Sequence, residues 1–133
     1  MRILLDSNVW LAILTTDGQC RRMWRSVRAQ SAIHASPDIL GEIAEKLHGK
    51  FGFTPRHACL LTHFVRRQTL AVTINVPSPN VCRDPDDDRI LAAAVQARCA
   101  YLVTGDRDLL ALSPFADVSI VTPREFWERV SSI

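Results

Sequence analysis

Six of the ten aspartates in the 133-residue chain fall between positions 84 and 108. They lie in Arg83-Asp84-Pro85-Asp86-Asp87-Asp88-Arg89-Ile90-Leu91 and in Leu102-Val103-Thr104-Gly105-Asp106-Arg107-Asp108. Carboxylates brought this close repel one another, and they either take up protons or gather around a cation. Magnesium and manganese favour oxygen ligands and keep several waters, so one or two direct carboxylates make a sensible site when others hold those waters. Such an ion polarises a phosphoryl oxygen and lowers the pKa of a bound water, which is the chemistry of phosphodiester hydrolysis. No serine, histidine or cysteine has the partners that a nucleophilic mechanism demands.

Four acids stand out by position. Asp6 follows the apolar run Ile3-Leu4-Leu5, at the carboxyl end of a first strand, where ligands of open parallel sheets sit; capping alone would suit Ser7, the next residue and the expected N-cap. Asp106 turns off the end of a strand at Tyr101 to Val103 in the same way. Glu42 falls between Ile39 and Ile43 on a helix opened by Ser36-Pro37, toward the buried side, where an acid is costly unless something positive meets it. Glu45 lies farther from that side. In the third stretch Asp84 reads as N-cap, Pro85 as the first helical residue, and Asp86 and Asp87 as partners of the helix dipole, each worth about 0.3–1 kcal/mol. Asp88 lies near the end of the first turn, where capping needs no fourth carboxylate, and it asks for another partner.

The elements that position these acids alternate. Strands are expected at Ile3–Leu5, Ala32–Ala35, Leu70–Ile74, Tyr101–Val103 and Val118–Val121. Between them come helices: one through Val9 to Leu14, one over Gln19–Gln30 with Met23, Trp24 and Val27 inward, one from Ser36-Pro37 to Gly49, and one from Thr54-Pro55 carrying Ala58, Leu61, Phe64 and Val65 inward. The acidic helix follows, then a turn at Leu109–Leu112 and a last helix opened by Thr122-Pro123-Arg124-Glu125 at capping-box spacing. Strand and helix alternating to the end predict one α/β domain over residues 1–133, three layers deep, with about five short and mostly parallel strands. Gly41 inside the third helix has no account from the sequence.

Composition agrees: 47% hydrophobic and 23% charged residues suit a soluble globular domain that folds without metal or disulfide staples. The net charge of +2 does not itself imply nucleic acid, but fourteen of sixteen basic residues are arginine, grouped at 21, 22, 25, 28 and at 56, 66, 67. Arg21, Arg25, Arg66 and Arg67 are the candidate phosphate contacts, set against the plain alternative of a solvated helix face. Cys20, Cys59, Cys82 and Cys99 have no zinc spacing and read as thiols, mostly buried, in a reducing compartment. The N-terminus reaches a charge after three apolar residues and no run is long enough to span a bilayer, so a cytoplasmic protein with no membrane partner is expected. Trp10 and Trp24 hint at a self-association face, although both residues suit a core.

Taken together, Ile3-Leu4-Leu5-Asp6-Ser7-Asn8-Val9, Ser36-Pro37 leading to Glu42, Arg83 to Asp88 running into Ala92-Ala93-Ala94, Tyr101 to Leu110, and Val121-Thr122-Pro123-Arg124-Glu125-Phe126 resemble a PIN domain over almost the whole chain. More narrowly, they resemble the bacterial and archaeal PIN proteins that serve as toxins of toxin–antitoxin pairs. The resemblance implies a metal-dependent endoribonuclease using Mg2+ or Mn2+, with Asp6, Glu42, Asp88 and Asp106 as catalytic and metal-site acids. It also implies Asn8, Thr104 and Asp108 as accessory polar groups, an RNA substrate, a cognate antitoxin and a homodimer. Ser7 stands where threonine is usual. A catalytically inactive RNA-binding or scaffold module on the same fold is the alternative. A receiver domain is disfavoured because the only lysines, Lys46 and Lys50, lie on the third helix, and a haloacid-dehalogenase phosphatase because Asn8 stands where a second aspartate belongs.

Overall fold

A computed structural model describes residues 1–131. The elements run β1 (Arg2–Leu5), α1 (Ser7–Thr15), α2 (Gln19–Val27), β2 (Ala32–Ala35), α3 (Pro37–Gly49), α4 (Pro55–Gln68), β3 (Leu70–Ala71), α5 (Pro85–Gln96), β4 (Tyr101–Val103), α6 (Arg107–Leu110), β5 (Ser119–Val121) and α7 (Pro123–Ser131). The five strands form one sheet in the order β3-β2-β1-β4-β5, and every pairing is parallel. Helices flank it to give the expected three-layer α/β/α architecture. α1 packs on α2 and α3, α3 on α4, and α2 on α7, while α5 and α7 lean on the central strands.

Side chains of a central parallel strand are covered on both faces, so such strands read as continuous apolar runs. Ile3, Leu4 and Leu5 are fully buried, as are Leu102 and Val103 beside them. The chain leaves β1 in one direction for β2 and β3, and the other side is filled by β4 and β5. The order therefore reverses between β1 and β4, which puts the crevice of an open α/β sheet at the carboxyl ends of those two strands.

Helix starts follow the local chemistry. Ser36 accepts from the Ile39 amide, Thr54 from that of His57 and Asp84 from that of Asp86, each with proline directly after the cap. Thr122 and Glu125 exchange bonds as a capping box at the start of α7.

Several expectations are corrected. Strand β3 ends at Ala71 rather than Ile74: the Val72 amide makes the last sheet bond, to Ala35, and that of Asn75 turns away to Gln96 Oε1. Helix α2 stops at Val27, with the Gln30 amide closing a turn on its carbonyl. Asp6, not Ser7, is the N-cap of α1. Trp10 and Trp24 belong to the core, edge to face at 6.1 Å. Of the cysteines only Cys99 is buried; Cys20 and Cys82 are half-buried and Cys59 is exposed. No helix among the described residues is long and apolar enough to cross a membrane.

Candidate active site

Parallel pairing with β1 in the centre brings the ends of Leu5 and Val103 side by side, and the Asp6 amide donates to the Val103 carbonyl at 2.9 Å. Asp6 is buried, and both its oxygens are held. Oδ1 accepts from the Ser7 amide at 2.7 Å, and Oδ2 accepts from the Thr104 hydroxyl at 2.7 Å. The same Thr104 oxygen accepts from the Asp106 amide at 3.0 Å. One buried hydroxyl thus joins the ends of β1 and β4. Asp106 in turn caps α6, its Oδ1 accepting from the amides of Asp108 and Leu109.

Glu42 reaches the same crevice from α3. It is half-buried, as its register suggested, and the positive group that meets it is Lys46, with Nζ 2.8 Å from Oε1. The ammonium also donates to Asn8 Oδ1 at 3.2 Å, joining α3 to α1. On the opposite rim Arg83 pairs with Asp108 at 3.2 Å.

Neighbouring positions on α5 differ by about 100° in direction, and Asp87 and Asp88 go different ways although both are buried. Asp88 Oδ1 accepts from the amides of Val81 and Cys82, so this carboxylate is engaged in fixing the loop that leads into α5. Asp87 is the one that feels the crevice. Burial pushes its carboxyl up from 3.8 to about 6, and the charges of Asp106, Asp84, Asp6 and Asp108 add to that. Burial also raises Asp6; the bonds from Thr104 and Ser7 oppose the rise, and Glu42 and Asp106 reinforce it. The charge of Asp88 is felt instead by Cys82, whose thiol is driven to about 12 by burial and by its bond to that carboxylate.

Glu42 and Asp106 thus act on Asp6, and Asp106 and Asp6 on Asp87, which the sequence suggests only as a partner of the helix dipole. Helical spacing does not separate the two, since Asp87, Ile90, Leu91 and Ala94 share a buried face and Asp88 is buried beside them.

Among the described residues no three acids close into a ready-made ligand cage. The donor set nevertheless suits a hydrated hard cation, which needs only one or two direct carboxylates. Two acids shifted upward, first by burial and then by neighbouring carboxylates, are groups that such a charge would relieve.

A cleft of about 550 Å3 runs off the site between α3 and α5, past Gly41, Glu42, Lys46, Asp86 and Arg89. A larger one, about 650 Å3, lies by Arg2, Arg98 and Val118 at the far end of the strands, away from these acids. Arg25, Arg66 and Arg67 are exposed, whereas Arg21 is half-buried and donates to the carbonyls of Ile13 and Leu14, so it closes the end of α1.

The family model described as the PIN domain matches residues 2–108. The chain belongs to the PIN domain family. Nucleases of this family typically use divalent metal ions. Among solved structures, the VapBC2 complex of Rickettsia felis bound to a DNA fragment from its promoter superposes with a TM-score of 0.69 at 10% identity, over 90% of this chain and 97% of that one. VapC20 of Mycobacterium tuberculosis, a toxin that cleaves the sarcin-ricin loop, superposes with a TM-score of 0.61 at 17% identity, over 88% and 98%. At such identities the likeness is one of fold. No curated protein matches the sequence significantly.

Proposed function

We propose that this PIN domain is a metal-dependent endoribonuclease and the toxin of a toxin–antitoxin pair, acting in the cytoplasm on RNA phosphodiester bonds. What supports the proposal is the position of Asp6 and Asp106 at the ends of adjacent central strands, joined through Thr104, with the charges of Glu42 and Asp106 felt at Asp6 and those of Asp6 and Asp106 at the buried Asp87.

In this reading Asp87 takes the place first given to Asp88, and Asp88 holds the Val81–Cys82 loop. Mg2+ or Mn2+, when bound, polarises the phosphoryl oxygen and supplies a water of lowered pKa. The protein's part is orientation. Thr104 and the Ser7 amide fix both Asp6 oxygens, the amides of Asp108 and Leu109 fix Asp106, and Arg83 holds Asp108 at the rim. Asn8 is the accessory group on the α3 side, through Lys46. Arg66, Arg67 and Arg25 remain candidate phosphate contacts, with Arg21 the weakest of the four because its guanidinium is engaged.

Support for a protein partner comes from α4, where the exposed Phe64 lines a groove with Leu61, Leu14, Arg21, Trp24 and Arg25. An antitoxin segment with apolar and acidic residues would complement it, and homodimerisation belongs to the same proposal. Cleavage of single-stranded RNA in Mg2+ or Mn2+, compared with EDTA and with the Asp6→Asn and Asp87→Asn variants, tests the nuclease. RNA bound but left intact by every form would instead make the chain a binding module.

A further inference from the structure

Lys46 is one of two lysines in a chain with fourteen arginines. Its ammonium stands on the lip of the crevice, 2.8 Å from Glu42 Oε1 and 3.2 Å from Asn8 Oδ1, and thus ties α3 to α1. Among the described residues Asp6, Asp87 and Asp106 take part in no ion pair. Only two basic groups are paired with the cluster, and they differ in kind. Arg83 is 89% exposed on its partner Asp108, whereas Lys46 and Glu42 are each about one-third exposed. Glu42 is also the acid whose charge reaches Asp6 from the α3 side.

We propose that Lys46 is the resident counter-ion of this site, a positioning residue that holds Glu42 and Asn8 in the cation-free protein and that a divalent cation must displace from Glu42. The inference rests on the cation-dependent reading above. A lysine suits the role better than an arginine, because a compact ammonium on a flexible stem releases one oxygen at a time, whereas a guanidinium binds a carboxylate through two. Lys46 and Glu42 both line the cleft between α3 and α5. A displaced ammonium can therefore swing along it, into the path of a polyanion lying across the site. Cation loading and backbone binding would then favour each other, since each takes one partner of the same ion pair.

The test is Mn2+ binding to the full chain without RNA, read by electron paramagnetic resonance of the free ion, together with thermal melts with and without Mn2+. Lys46→Gln should bind Mn2+ about tenfold more tightly than wild type, the scale of removing one positive charge a few ångströms from a divalent ion. Lys46→Arg should stay near wild type or bind more weakly. Arg83→Gln should change affinity by less than about twofold, because its exposed guanidinium is screened. Cation-free Lys46→Gln should melt lower than wild type yet gain more on saturation with Mn2+. Unchanged or weaker Mn2+ binding by Lys46→Gln, with wild-type binding still lost in Asp6→Asn, would overturn the counter-ion role alone. No Mn2+ binding dependent on Asp6 in either protein would overturn the cation site and this inference with it.

Discussion

Replacing Asp87 and Asp88 in turn by asparagine separates two neighbours that the sequence presents as equivalent. The Asp87 carboxyl is raised from 3.8 to about 6, chiefly by burial and then by Asp106. At 1.36 kcal/mol per pH unit this is at most about 3 kcal/mol, and roughly 1–2 kcal/mol once solvent screening is allowed for. The sign is that of a group binding its proton more tightly when folded. The penalty is absent below the ordinary value of 3.8, grows as pH rises and is complete above about 6. Cation-free Asp87→Asn should therefore be more stable than wild type near neutral pH by about 1–2 kcal/mol, or roughly 3–8 °C in Tm, with the advantage gone at about pH 4. It should also lose metal-dependent RNA cleavage by about a hundredfold or more. Asp88→Asn keeps an oxygen able to accept from the Val81 and Cys82 amides and should retain most cleavage, whereas Asp88→Ala strands both amides and should cost about 1–3 kcal/mol. Denaturant melts in EDTA and a cleavage assay in Mg2+ read both effects. An inactive Asp88→Asn beside an active Asp87→Asn, or an Asp87→Asn less stable at neutral pH, would refute the assignment.

Thr104→Val removes the hydroxyl that donates to Asp6 and accepts from the Asp106 amide, so stability should fall by about 1–3 kcal/mol and cleavage with it, while Thr104→Ser restores both. His34, on β2, has both ring nitrogens buried without a partner, and burial followed by the Arg2 charge lowers its pKa below 6.5. The unfolded chain then takes up the proton first, so stability is lost as pH falls below 6.5; His34→Leu should flatten that limb of a pH–stability curve and raise stability. Gly41 lies inside α3 with nothing within 4 Å of an added Cβ, so Gly41→Ala should add about 0.5–1 kcal/mol in denaturant melts. If cleavage falls nonetheless, RNA approaches that backbone closely.

Most strand positions and helix starts were legible because each rests on local chemistry: apolar runs such as Ile3–Leu5, and caps such as Ser36-Pro37 and Asp84-Pro85. Glu42 was legible from its register, and Lys46 four residues on is the cation that its half-buried position required. The end of β3 was not legible, since Leu70–Ile74 is apolar enough for a strand and only the Gln96 side chain, far along the sequence, decides where the ladder stops. The different surroundings of Asp87 and Asp88 were not legible for a related reason. The choice between Asp87 and Asp88 depends on which way the Val81–Cys82 loop presents its amides, and propensity carries no information on that.

Capping and chemistry are compatible roles for these aspartates. Asp6 caps α1, Asp84 caps α5 and Asp106 caps α6, so three helix N-termini meet at the crevice. Each brings amide donors and the positive end of a helix dipole, worth about 0.3–1 kcal/mol to a nearby carboxylate. With Lys46 on Glu42 and Arg83 on Asp108, these donors offset part of the repulsion among the acids. The same amides limit where the carboxylates can go. Asp6 is tethered through both oxygens and Asp106 through one, so a cation entering the crevice would find oxygens already oriented and only the Glu42 contact left to exchange. On the proposed reading, loading exchanges the Lys46 contact of Glu42 and leaves the amide bonds to Asp6 and Asp106 in place.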